Sequence, residues 1–301
     1  MSPTRHSLRL PNTVGPEGTH EVVFYDWGNP ESLKITICVH GLTRNARDFD
    51  MLAQALAATG RRVLALSMAG RGESEWLAEP MGYNYASYAA DCLAVMDNFH
   101  FREVEWVGTS MGGLIGMMIA AQYPRRIKKL VMNDIGARLS KPALERIYGY
   151  VRAMPSAFAS RAEAETYLRA AFAPWGIADE ATWQMLIDSS LITRNGALCY
   201  ACDPAIAVPL ALATENYSKI EDVNLSPIWA EVQTPTLILH GADSDILDVD
   251  TIRAMRATNL NTESISFAGI GHAPALMSDD QIRPIVNWLT RTTASIMATS
   301  F

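Results

Sequence analysis

Residues 108–112 read Gly-Thr-Ser-Met-Gly and join an apolar run, EVEWVG, to a stretch at helical spacing, MGGLIGMMIAAQ. A serine between glycines at a strand-to-helix junction is a candidate nucleophile. The sharp turn holds Ser110 in a strained backbone, and flanking side chains larger than hydrogen would clash there. The turn also sets Ser110 at a helix N-terminus, where the Met111 N–H can stabilise a developing oxyanion.

A serine hydroxyl is a poor nucleophile at neutral pH and needs a base, usually histidine, oriented by a third group. Only two histidines follow Ser110. His240 ends an apolar strand-like run and precedes a glycine, which suits a packed strand-end residue. His272 stands in GIGHAPALM, a glycine-rich loop where an imidazole can hang over a sheet edge, and it is the expected base. A second oxyanion donor should come from a loop at the same edge, and HGLTRNARDF supplies the Leu42 N–H, with His40 bracing that loop.

The carboxylate is the open choice. HGADSDILD carries Asp243 and Asp245 at the end of the run TLIL. Both have ordinary readings: an Asx-turn for Asp243, a solvated turn for Asp245, with Asp248 or Asp250 left to cap the helix that begins near Thr251. Asp134, in LVMNDIG, ends the strand that follows the serine's helix. Open α/β sheets build their sites at the carboxyl ends of strands, so Asp134 should reach the same edge as Ser110 and His272. Asp134 is the expected acid, with Asp245 and then Asp243 as alternatives.

The elements that must position these residues alternate. The strand candidates are HEVVFYDW, LKITICV, RRVLALS, EVEWVG, IKKLVMN, TPTLILH and ESISFAG, and helix-like stretches lie between most of them. This is the pattern of a parallel sheet with crossover helices. HEVVFYDW and LKITICV, joined by a Gly-Asn-Pro turn, read as an opening antiparallel pair. From 137 to 229 the alternation stops and the chain reads as helical, Ala-rich and aromatic. The expected organisation is a core of 1–136 and 230–301 with a helical cap at 137–229. In the cap, Phe172, Trp175, Trp183 and Tyr200 are candidates for an apolar pocket, and Arg138, Arg146 and Arg152 for contact with a substrate carboxylate.

The 301 residues carry a formal net charge of −7 and are 49% hydrophobic. A large buried core follows, and a nucleic-acid surface does not, because such surfaces rest on clustered Lys and Arg. RRIKK, residues 125–129, is the only dense basic run and reads as a solvated helix end. No stretch has signal-peptide character or approaches about 18 uninterrupted apolar residues, so a cytoplasmic protein without membrane partners is expected. Cys199 and Cys202 form CYAC with no second pair at zinc spacing and read as reduced thiols, like Cys38 and Cys92. HExxH, GxGxxG and GxxxxGK[ST] are all absent, so neither metal nor cofactor is expected.

HGLT, SMAGRGESEW, GTSMGG, HGADSD and GHAP, in this order across nearly the whole chain, resemble the α/β-hydrolase superfamily. The resemblance implies an eight-stranded, mostly parallel sheet flanked by helices, a Ser-acid-His order and a cap over the site. The family often has Asp where this chain has Ser67, a generally structural position. In most members the acid stands three residues after the glycine that ends strand seven, which here is Ser244. The chain thus resembles the subgroup with the acid after strand six, in agreement with Asp134. A serine at the elbow also sets it apart from the dehalogenase and epoxide-hydrolase branches, which attack through a carboxylate. The expected function is hydrolysis of a small or medium-sized carboxylic ester. Lactone, amide or carbon–carbon cleavage by the same triad is the alternative, and a small-molecule receptor with a vestigial triad is a more distant one. Oligomeric state is open.

Overall fold

In the computed structural model, which describes residues 2–15, 18–214 and 221–292, short aliphatic runs set the frame. The chain opens with β1 (Thr4–Pro11) and β2 (Thr19–Trp27), followed by β3 (Ile35–Val39), α1 (Asp50–Ala57), β4 (Arg62–Leu66) and α2 (Tyr85–Asn98). Next come β5 (Val104–Thr109), α3 (Met111–Gln122) and β6 (Ile127–Asn133). A stretch off the main sheet carries β7 (Arg138–Leu139), α4 (Lys141–Arg152), α5 (Arg161–Phe172), α6 (Glu180–Ser189), β8 (Leu191–Arg194) and β9 (Ala197–Tyr200). It continues through α7 (Ala207–Thr214), β10 (Val223–Asn224) and α8 (Ser226–Ala230), with 215–220 outside the described residues. The sheet then resumes with β11 (Thr236–Gly241), α9 (Val249–Thr258), β12 (Thr262–Phe267) and α10 (Asp279–Thr290).

Eight strands form one sheet in the order β1-β2-β4-β3-β5-β6-β11-β12, parallel from β4 to β12. Every residue of β3, β4 and β11 is buried, as expected for parallel strands covered on both faces. Alternate side chains divide between two cores. Ile37, Val39, Leu64 and Leu66 pack with α2, α3 and α9 on one face. Cys38, Val63 and Ala65 pack with α1 and α10 on the other. No helix among the described residues is long and apolar enough to cross a membrane.

Two expectations are corrected, and one strand is added. β2 and β3 do not pair: β2 runs antiparallel to β1 and β4, with Phe24 opposite Leu66, and β4 lies between β2 and β3. The link at 28–34 is long enough to step over a neighbour, and β2, buried along most of its length, needs a strand on each edge. β1 itself escaped notice because its exposed, charged residues break the apolar pattern. Nor is 137–229 wholly helical. β8 and β9 form a hairpin closed by Asn195-Gly196, both at positive φ, and β7 pairs with β10.

Candidate active site

β5 ends at Thr109 and α3 begins at Met111, so Ser110 makes the whole turn, with φ 50° and ψ −111°. That conformation is costly for a residue with a Cβ and persists because its surroundings force it. A Cβ on Gly108 would lie 2.2 Å from the Gly112 carbonyl, and one on Gly112 would lie 1.9 Å from the Val39 carbonyl oxygen. Both glycines are therefore steric necessities. The Ser110 N–H donates to the Asn133 carbonyl at 2.9 Å, which ties the turn to the end of β6.

His272 follows β12 in the loop that leads to α10. Its Nε2 lies 3.0 Å from Ser110 Oγ and its Nδ1 lies 2.8 Å from Asp134 Oδ2. Asp134 has no exposed surface. Its carboxylate also accepts from the Gly241 N–H at 2.8 Å and from Ser244 Oγ at 2.6 Å. An ionised carboxylate can only accept, so the Nδ1 proton belongs on His272 and Nε2 is free to accept the Ser110 hydroxyl proton. Asn133 joins the three arms: its Nδ2 donates to Thr109 Oγ1 at 3.1 Å and to the Pro274 carbonyl at 2.8 Å.

The alternative acids point elsewhere. Asp243 is exposed, and Asp245, also exposed, forms an ion pair with Arg146. Asp248 caps α9 by accepting from the Thr251 N–H at 2.6 Å. Ser244, which sequence reasoning treated only as a missing acid, both donates to Asp134 and accepts from the Ile246 and Leu247 N–H groups. His240 is the packed strand-end residue expected, held between Ser266 Oγ and the Leu247 carbonyl.

Leu42 and Met111 flank Ser110, and among the described residues neither backbone N–H has an acceptor. His40 braces the Leu42 loop. Burial pulls its pKa down to about 3, so the ring is neutral; its Nδ1–H donates to the Gly41 carbonyl at 2.7 Å and its Nε2 accepts the Met68 N–H at 3.0 Å. Arg71, absent from the sequence-based candidates, is completely buried beneath the same loop. It donates to the Leu42 and Ala69 carbonyls and to Tyr88 Oη, and its Nη2 reaches Met111 Sδ at 3.8 Å. No carboxylate among the described residues lies within ion-pair distance of it. Only its place in SMAGRGESEW hinted at a structural role.

A family model for the alpha/beta hydrolase fold matches residues 37–277. The chain belongs to the α/β-hydrolase family. It is 34% identical over 275 residues to a 3-hydroxybutyrate-oligomer hydrolase of Cupriavidus necator, covering 89% of this chain and 92% of that one. A solved structure from Rickettsia typhi superposes with a TM-score of 0.87 at 33% identity, covering 96% of this chain and 100% of the other. An α/β hydrolase from Novosphingobium aromaticivorans gives 0.79 at 29% identity, covering 96% and 99%.

In this α/β hydrolase, Ser67 has a structural role: its Oγ accepts the Ala46 N–H at 3.1 Å. Cys199 and Cys202 are buried free thiols, and burial pushes Cys202 up to about 12. Two lobes meet at Ser110, Leu42 and Tyr150. The smaller, about 150 Å³, is walled by Phe172, Trp175 and Tyr200 with Arg44, Arg146 and His272. The larger, about 350 Å³, is apolar, walled by Met117, Leu144, Ile147 and Tyr88 among others. Of the cap candidates, Trp183 lies under Arg169 instead, Arg138 pairs with Asp222, and Arg152 lines neither lobe.

Proposed function

We propose that this hydrolase cleaves a carboxylic ester of a small or medium-sized molecule through an acyl-enzyme on Ser110. The observation that carries this reading is the continuous chain Ser110–His272–Asp134, with Ser110 lining both lobes beside Leu42, whose N–H, like that of Met111, has no acceptor among the described residues. His272 takes the Ser110 proton as Oγ attacks the carbonyl carbon. The Leu42 and Met111 N–H groups hold the oxyanion, and Asp134 keeps His272 in the productive tautomer and stabilises its cation. His272 then gives its proton to the leaving alcohol, and a water activated by the same imidazole releases the acid. In this reading 137–229 is a cap over a core of 1–136 and 230–301.

The Cupriavidus necator relative supports an ester rather than an amide, because the link between hydroxybutyrate units is a carboxylic ester. Initial rates on p-nitrophenyl esters of increasing acyl length, with Ser110→Ala beside the wild type, test the proposal. Turnover abolished by the substitution is the expected result. Failure of the wild type on every ester would reject it in favour of lactone or carbon–carbon cleavage, or of a receptor role.

A further inference from the structure

The two lobes are not equivalent with respect to His272, which lines only the smaller one. If acyl transfer proceeds as proposed above, on which this inference rests, His272 must deliver its proton to the oxygen that leaves. The leaving alcohol therefore occupies the smaller, aromatic lobe, and the acyl group takes the larger, apolar one.

The charge of the smaller lobe is one-sided. Arg44 and Arg146 line it and no Asp or Glu does, in a chain whose net charge is −7. Arg44 is already engaged: Asp48 takes two of its N–H groups, and Ser190 and Tyr200 take another nitrogen. Arg146 is held less firmly: it leans over the Tyr150 ring, and its Nε makes an exposed pair with Asp245. The two side chains of this pair are 43% and 52% exposed, so solvent screens it and it holds Arg146 weakly. The terminal guanidinium nitrogens make no hydrogen bond among the described residues, and they form the planar fork that matches a carboxylate.

We infer that the preferred substrate is an ester whose leaving alcohol carries a carboxylate, a short hydroxyacid, and that Arg146 is the specificity-determining residue that binds it. The lobe, at about 150 Å³, fits an alcohol of a few heavy atoms. In the acylation step the bond from Ser110 Oγ to the acyl carbon forms and the bond to the alcohol oxygen breaks. The Ser110 proton passes through His272 to that oxygen, and the hydroxyacid departs with its carboxylate still ionised.

The test compares butyryl glycolate with butyryl glycolamide, in which a primary amide replaces the carboxylate, by butyrate release from the full chain. The wild type should favour the carboxylate in kcat/KM by about 10- to 100-fold, the range of a charge-assisted pair. Arg146→Gln should remove that preference mainly by raising KM for the carboxylate ester, with a larger loss in kcat/KM for the carboxylate than for the amide, and Arg146→Lys should restore part of it. Asp245→Asn, which frees Arg146, should lower KM for the carboxylate alone. Equal kcat/KM for the two esters, or Arg146→Gln slowing both alike, would overturn the inference. So would Ser110-dependent turnover of p-nitrophenyl esters with neither glycolyl ester cleaved, which leaves the ester-hydrolase reading intact. Loss of Ser110 dependence on every ester would instead overturn that reading and this inference with it.

Discussion

The turns after β6 and β11 end on neighbouring strands of one sheet edge, yet they treat their carboxylates in opposite ways. After β6, Asp134 is sealed from solvent and held at φ 55° by donors from Gly241, Ser244 and His272. After β11, Asp243 and Asp245 face water, and between them Ser244 points inward to the Asp134 carboxylate. One turn thus supplies the carboxylate that meets the His272 imidazole, and the other supplies a hydroxyl that donates to that carboxylate. A serine left on the other strand keeps a hydrogen bond that an apolar residue would lose, and a buried charge needs each of its donors.

The largest test of this contrast is Asp134→Asn, for which kcat on a p-nitrophenyl ester should fall about 10⁴-fold, since the amide favours the wrong histidine tautomer. Moving the acid across the edge sharpens it. The double variant Asp134→Asn/Ser244→Asp should recover at least about tenfold of that loss, because Ser244 Oγ lies within 2.6 Å of the oxygen that His272 uses. No recovery would show that the strands are not interchangeable here. Ser244→Ala removes one hydrogen bond to a charged group, and kcat should drop about tenfold with KM little changed. Asp243→Asn and Asp245→Asn should each keep kcat for a neutral ester within about threefold. A larger loss in either would return the acid to the β11 turn.

Much of this edge was legible because it obeys local rules. Short, β-branched-rich apolar runs bounded by turn residues read as strands buried on both faces, and Gly108 and Gly112 have no alternative beside Ser110. Asp134 was legible from topology, since it ends the strand next to the serine's. What escaped depends on contacts distant in sequence. Ser244 looked like an absence until its hydroxyl was seen on Asp134, 110 residues away. Arg71 looks like an ordinary loop arginine until its place beneath Leu42 and Met111 is known. The β8–β9 hairpin has a local signal, Asn195-Gly196, that a helical reading of 137–229 passes over.

The most direct test of the central claim is the rate and position of fluorophosphonate labelling in the wild type, Asp134→Asn and Asp245→Asn, with the adduct located by peptide mass. A single adduct on Ser110 is expected, forming about three orders of magnitude or more slower in Asp134→Asn and at an unchanged rate in Asp245→Asn. An adduct on another residue, or slowing confined to Asp245→Asn, would contradict it.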